Sequence, residues 1–170
     1  KLIAKMINIR DYLKRRVLLF DGAMGTYYAS LSGGISFGCE QANIKTPEII
    51  ENIHREYIAA GASAIKTNTF GLDINNLGGD RKRQKALIKA GYELALEATQ
   101  DKAFVFADIG PIMAGEHDEK VEEYINIVSE FLELGAKNFL FETHSSDIAM
   151  VEVARYIKKE CTDAFVIVSY

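Results

Sequence analysis

The stretch VLLFDGAMGT, residues 17–26, sets the expectation for the whole chain. Apolar residues from Val17 to Phe20 run straight into a glycine-bearing turn. A short, continuous apolar run closed by turn residues is the pattern of a strand covered on both faces, as in a parallel sheet. Gly22 and Gly25 give the backbone angles closed to other residues, or let a ligand come close to the main chain. If the turn curls, the N–H groups of Gly22, Ala23, Met24 and Gly25 converge on an anion such as a carboxylate. Asp21 stands where the strand stops, with its carboxylate at the mouth of the sheet. A carboxylate beside a ring of N–H donors suits the two ends of an amino acid. The same residues serve equally as an ordinary strand-to-helix turn capped by Asp21, because a short glycine turn is a weak signal by itself.

Outward from this stretch the chain alternates. Residues 8–15 predict a short helix with Ile9, Tyr12 and Leu13 on one side. Residues 27–31 are ambiguous, and 32–43 read as a loop through Gly33, Gly34 and Gly38. Thr46-Pro47-Glu48 then predicts a helix start: Thr as N-cap, Pro in the first turn, an acid beside it. Ile49, Ile50, Ile53 and Tyr57 recur at helical spacing up to a stop at Gly61. Residues 63–70, SAIKTNTF, predict a second strand with a polar far end, followed by a loop over 71–80. Helices are expected over 81–99, 118–134 and 146–160, the last with Ser146 as N-cap. Strands are expected over 103–108, 138–141 and 164–170.

This rhythm is a βα array with a parallel sheet. A doubly wound sheet of about five strands fits 170 residues. A (β/α)8 barrel takes about 250. The sequence stops inside an apolar strand pattern, with no covering helix after it. The expectation is therefore an α/β fold made of about the first five βα units of a truncated (β/α)8 TIM barrel, as one domain over residues 1–170.

Hydrophobic residues make up 48% of the chain and charged residues 26%, enough for a packed core. The formal net charge of −4, with no Lys/Arg stripe, speaks against nucleic acid as a partner. No apolar run approaches the roughly 18 residues of a membrane helix. Residues 1–16 lack the apolar centre of a signal peptide. Cys39 and Cys161 fit no metal-binding spacing, and a reduced, cytoplasmic setting is expected.

Ligands bind at the carboxyl ends of the strands in either fold. The polar residues there are Asp21; Thr67, Asn68 and Thr69; Asp108; and Glu142, Thr143 and His144. The three carboxylates suit acid–base work, a cation, or a substrate ammonium. For each alone a helix cap or loop hydrogen bond is the plainer reading, more so for Asp108 than for Glu142. Glu142 follows a buried run, so its charge needs a partner. His144 reads as a surface or capping residue before a base or metal ligand. His54 reads as structural and His117 as solvated. Both cysteines read as inert, although the loop carrying Cys39 can fold over the mouth.

Beyond these readings, DGAMGT after a first strand, NIKTPEIIENIHREYIAAGASAIKTNTFG over residues 43–71, IGP at 109–111 and FET at 141–143 resemble the homocysteine S-methyltransferase family over about residues 18–170. That family includes the homocysteine-binding module of cobalamin-dependent methionine synthase. The resemblance implies a (β/α)8 barrel that methylates the thiol of homocysteine to give methionine, with homocysteine and a methyl donor as partners. Cobalamin or a folate is among the donors used by relatives, some of which carry a fused folate or cobalamin module. The family holds Zn²⁺ with cysteine thiolates that the substrate thiol joins, losing its proton. By the same resemblance, Asp21 and the amides of Gly22, Ala23, Met24 and Gly25 hold the amino-acid end of homocysteine. Glu142 takes its ammonium, and Thr67, Asn68 and Thr69 line the pocket. The family's zinc cysteines lie in a segment like GxNC and in a GGCC run, and neither occurs here. The zinc ligands are expected beyond Tyr170, and no catalytic residue is expected in this segment. The residue-level alternatives are an amino-acid-binding module without turnover and a doubly wound domain taking a phosphorylated ligand at DGAMGT.

Overall fold

A computed structural model describes residues 8–33, 38–145 and 148–170. Its sheet contains β1 (Ala64–Lys66), β2 (Phe104–Ile109), β3 (Asn138–Phe141) and β4 (Phe165–Val168), all parallel and in the order β1-β2-β3-β4. The helices are α1 (Ile9–Leu13), α2 (Met24–Ser32), α3 (Ala42–Lys45), α4 (Pro47–Ala59), α5 (Arg81–Thr99), α6 (His117–Glu133) and α7 (Ile148–Glu160), with a 3-10 turn at Cys39–Gln41. Strand order follows chain order throughout. A doubly wound sheet reverses direction at a switch point, and this sheet has no reversal among its described strands, so the doubly wound alternative is not the fold.

The period-two alternation of β2 divides the core. Val105, Ala107 and Ile109 pack outward with Phe139 and Phe141 against Leu87, Ile88 and Tyr92 of α5, Val128 and Phe131 of α6, and Val153 and Ile157 of α7. Phe104 and Phe106 pack inward with Ala64, Leu140 and Ile9 of α1. Successive side chains of a strand point to opposite faces. Lys66 therefore shares the inner face with Ala64, Asp108 with Phe106, and Glu142 with Leu140. The inner face is apolar at its base and ionisable at its carboxyl end.

The first predicted strand is much reduced. Phe20 makes a single parallel bridge to Ala64; Leu19 O accepts from Ser63 N and Ala64 N, and Asp21 N donates to Ala64 O at 3.0 Å. Val17 is 85% and Leu19 56% exposed, so this run is not covered on both faces. Leu18 and Phe20 alone turn inward, onto the Phe104–Phe106 cluster. Two other expectations are corrected. Met24, Gly25 and Thr26 form the first turn of α2 rather than a loop. The predicted loop over 32–43 contains the 3-10 turn and the start of α3, and its residues 34–37 lie outside the described residues.

The strand expected over 63–70 is cut to Ala64–Lys66; the remaining boundaries agree within a few residues. The helix over 81–99 and the strand over 138–141 have the expected limits. Pro47 opens α4, but Thr46 makes no side-chain cap; its hydroxyl pairs with Tyr28 Oη at 3.0 Å. Ser146, expected as an N-cap, lies outside the described residues.

Candidate functional site

The carboxyl ends of the strands enclose a cleft of about 370 Å³. Its wall brings together Asp21, Gly22, Ala23, Met24 and Gly25, then Thr67, Asn68 and Thr69, then Glu142. All nine residues expected to hold or line the substrate thus reach one cavity; of the other polar strand-end residues Asp108 and Thr143 join them and His144 does not, and Lys66 is added.

Asp21 is not a helix cap. Its Oδ2 accepts from Lys66 N at 3.1 Å, and its Oδ1 is buried without a partner. Burial pushes its carboxyl up to about 7, against the opposing pull of the Lys66 amide. The N-cap position of α2 falls on Ala23, which offers no side-chain cap, so the first-turn N–H groups of α2 meet no side-chain acceptor among the described residues. A helix start of this kind favours an anion through its free donors and the macrodipole. Gly22 allows a close approach there: a Cβ on it would stand 2.7 Å from Tyr57 Oη, which donates to Ala23 O.

Opposite stands an ionisable group built on the inner face. Lys66 Nζ lies 2.9 Å from Glu142 Oε1 and supplies the half-buried Glu142 with the partner its place after a buried run demanded. Burial pulls the Lys66 ammonium down, but the hydrogen bond and charge of Glu142 outweigh it and the net shift is upward. Asp108 is 4% exposed, with one oxygen, Oδ1, lacking any partner. Burial, and then the charge of Glu142, hold its carboxyl well above the usual range. Three carboxyls and one ammonium face one another on this side of the cleft.

Thr67 and Thr69 have a different task from the one expected. Asp108 N donates to Thr67 Oγ1 at 2.9 Å, and Thr69 Oγ1 donates to Asp108 O at 2.7 Å. The Thr67–Thr69 contact of 2.6 Å then has Thr67 as donor. Both hydroxyls are spent tying the end of β1 to that of β2. The Asn68 amide donates to Cys39 O and to Asn43 Oδ1, at 2.9 and 2.8 Å. These side chains line the cleft and stiffen its floor.

The histidines lie away from the reacting space. His144 is buried, with its ring against Tyr124 and Phe141 and its main-chain N–H on Ser169 O, so it is neither a surface residue nor a helix cap. His54 is buried in α4 as a structural residue, with both ring nitrogens unpartnered. His117 opens α6 and pairs with Glu152 at 2.9 Å, so it is exposed but not merely solvated. Cys39 does reach the cleft, yet burial pushes its thiol up to about 11 and keeps it protonated. Cys161 lies at the other end of the sheet, beside Asp163. Among the described residues no group of three His, Cys, Asp or Glu side chains is placed to hold a metal ion. A three-thiolate zinc centre therefore does not fit the residues described.

Lys66 is the residue that sequence reasoning missed. Its signal was available: in SAIKTNTF it lies two positions after Ala64, and alternation alone places it on the inner face. Asp108 was discounted as a cap for want of the same register argument.

The family model for homocysteine S-methyltransferase matches residues 18–170. The chain belongs to the homocysteine S-methyltransferase family. It is 35% identical over 121 residues to methionine synthase of Mycobacterium tuberculosis (strain ATCC 25618 / H37Rv). It is 33% identical over 119 residues to methionine synthase of Mycobacterium leprae (strain TN). Each match takes in 61% of this chain and 10% of the relative, so the chain spans only a small part of the synthases it matches. Among solved structures, the metallated form of the homocysteine methyltransferase MmuM from Escherichia coli superposes with a TM-score of 0.76 at 21% identity, over 94% of this chain and 65% of that one. The apo form gives 0.72 at 24% identity, over 94% and 62%. At these identities the likeness is one of fold: an α/β protein with a parallel sheet, like that of a barrel methyltransferase. No helix among the described residues is long and apolar enough to cross a membrane.

Proposed function

We propose that this cleft holds the amino-acid end of homocysteine for transfer of a methyl group to its thiol. The ammonium goes to Glu142, within the acid group it forms with Asp21 and Asp108. The carboxylate goes to the amides of Gly22, Ala23, Met24 and Gly25 at the start of α2. Thr67, Asn68 and Thr69 keep these two halves at fixed spacing. The observation that carries this reading is the pairing, across one cavity, of an uncapped helix start with a buried carboxyl group. A zwitterion needs both, and either one alone would be far less specific.

In this reading the chain is the amino-terminal part of a (β/α)8 barrel, in a cytoplasmic enzyme whose zinc is held by cysteines outside this segment. Its methyl donor, cobalamin- or folate-linked as in a methionine synthase, arrives over the mouth. The residues described here bind and orient the substrate, and no bond-making step falls to them. A second reading is favoured by the protonated Cys39 thiol and the lack of a metal-holding cluster among the described residues: the chain binds the amino acid without turning it over.

Calorimetry with L-homocysteine and L-methionine tests the site. The expected result is binding without added zinc, weakened at least tenfold by Glu142→Gln, because a charge-assisted hydrogen bond contributes about 1.5–3 kcal/mol. Binding of inorganic phosphate in place of either amino acid would refute the assignment. Zinc-dependent methionine formation by a longer form of the protein separates the enzyme from the binding module.

A further inference from the structure

Lys66 is the only basic side chain among the described residues lining the cleft. It sits in the seat that the proposed function gives to a ligand. Its Nζ is 2.9 Å from Glu142 Oε1, and an α-ammonium makes the same demand on that oxygen: one positive charge and three N–H donors. Two ammonium charges held on one carboxylate repel each other, so the two compete for it. The ion pair is not sealed, with side-chain exposures of 19% for Lys66 and 30% for Glu142, so an incoming cation can reach it. There is also somewhere for the lysine to go. Asp21 Oδ1 and Asp108 Oδ1 are buried and unpartnered, and both carboxyls act on the Lys66 charge. A lysine side chain has four rotatable bonds and swings among such acceptors without moving the backbone, which is fixed here by the bond from Lys66 N to Asp21 Oδ2.

We propose that Lys66 is a specificity-determining residue of this cleft: its ammonium occupies Glu142 until a ligand's α-ammonium displaces it toward the free oxygens of Asp21 and Asp108. This rests on the amino-acid reading of the cleft and deepens it. A protein whose binding-competent state is only partly populated binds more weakly in proportion, so Lys66 lowers affinity for each ligand that must displace it. It lowers selectivity for none that carry an ammonium. A thiol acid without an amino group has no cation to exchange for the lysine and is turned away.

The test measures dissociation constants at pH 8 for L-homocysteine and for 4-mercaptobutanoate, its analogue without the amino group. The proteins are the wild type, Lys66→Met and Lys66→Arg. A partly exposed ion pair is worth up to about a fivefold factor. Lys66→Met is expected to bind homocysteine about fivefold more tightly and Lys66→Arg no more tightly than wild type, with 4-mercaptobutanoate excluded by the wild type. On the wild type itself, reductive ¹³C-methylation of lysines gives an NMR signal for Lys66 that is expected to move when homocysteine is added. A signal that stays still while homocysteine binds overturns the proposal, as does unchanged or weaker binding by Lys66→Met. Either result leaves the amino-acid site standing. Absence of binding in wild type and both variants overturns the proposal and the amino-acid reading together.

Discussion

Replacing Gly91 with alanine is expected to destabilise the protein, against the usual preference of helices. Gly91 lies inside α5, where Gly→Ala ordinarily gains about 1 kcal/mol. Here an added Cβ would stand 2.6 Å from Asn43 Nδ2 and 2.9 Å from Thr69 Cγ2. Neither neighbour can give way cheaply. Asn43 Nδ2 donates to Asn68 O at 2.8 Å and to Leu87 O at 3.3 Å, while its Oδ1 accepts from Asn68. Thr69 is tied to Asp108 O. Overpacking costs about 1–3 kcal/mol, and a displaced Asn43 leaves buried groups unpaired at about 1–3 kcal/mol more. These costs exceed the helix gain, and the net loss is about 2 kcal/mol. Urea denaturation of wild type and Gly91→Ala measures it as a shift in midpoint at constant slope. The same substitution in an Asn43→Ser background, where the clashing amide is gone, is expected to cost less, with a coupling of at least about 1 kcal/mol. Equal or greater stability of Gly91→Ala, or the same cost in both backgrounds, would refute the claim that Asn43 is a rigid hub. Because Asn43 and Thr69 set the floor of the cleft, homocysteine affinity is expected to fall in step with stability.

Two further outcomes concern pH, with opposite signs. His54 is held neutral by burial, its pKa lowered to about 4 from an ordinary 6.5. The unfolded chain takes up a proton first as pH falls, so stability is complete above about 6.5 and declines toward 4, by up to about 3 kcal/mol. His54→Leu is expected to abolish that acid limb in urea titrations between pH 4 and 8. Asp21 does the reverse: its carboxyl is raised to about 7, so the fold favours the protonated form and loses stability as pH climbs from about 4 to 7. Asp21→Asn is expected to remove this decline and to stabilise the protein at pH 8 by about 2–4 kcal/mol, while weakening homocysteine binding.

The parallel βα order was legible because its signals are local. Thr46-Pro47-Glu48, the stripe from Arg81 to Thr99 and the run from Asn138 to Phe141 each declare an element within a few residues. The first strand misled because length and apolarity do not report neighbours. Val17 and Leu19 look like core residues until the sheet is seen to offer them nothing to pack against. Helix α2 was hidden because its start has no side-chain cap. A helix whose first turn is left uncapped carries no start signal, so residues 24–26 read as part of a glycine turn. In the site, Asp21 and Glu142 were found because they end apolar runs. Lys66 was passed over because a lysine in a strand is ordinarily solvent-facing, although its alternation with the buried Ala64 turns it inward. The hydroxyls of Thr67 and Thr69 were visible as polar residues, but their commitment to Asp108 depends on a contact about 40 residues away in the chain, with no trace in local sequence.

The two sides of the mouth are hung very differently. Asp108 rises from β2 and Glu142 follows β3, each of which is paired with a strand on either side. Asp21 and the start of α2 hang from a single bridge, Phe20 on Ala64, and a few bonds beside it to Ser63, Ala64, Lys66 and Tyr57. Local opening is easiest where few backbone bonds must break, so the anion-facing jaw loosens while the cation-facing jaw stays put. Under the proposed amino-acid reading, a zwitterion bridging the two would work as a clasp, and the order it brought would be concentrated in the hinge side, in the amides just after Phe20.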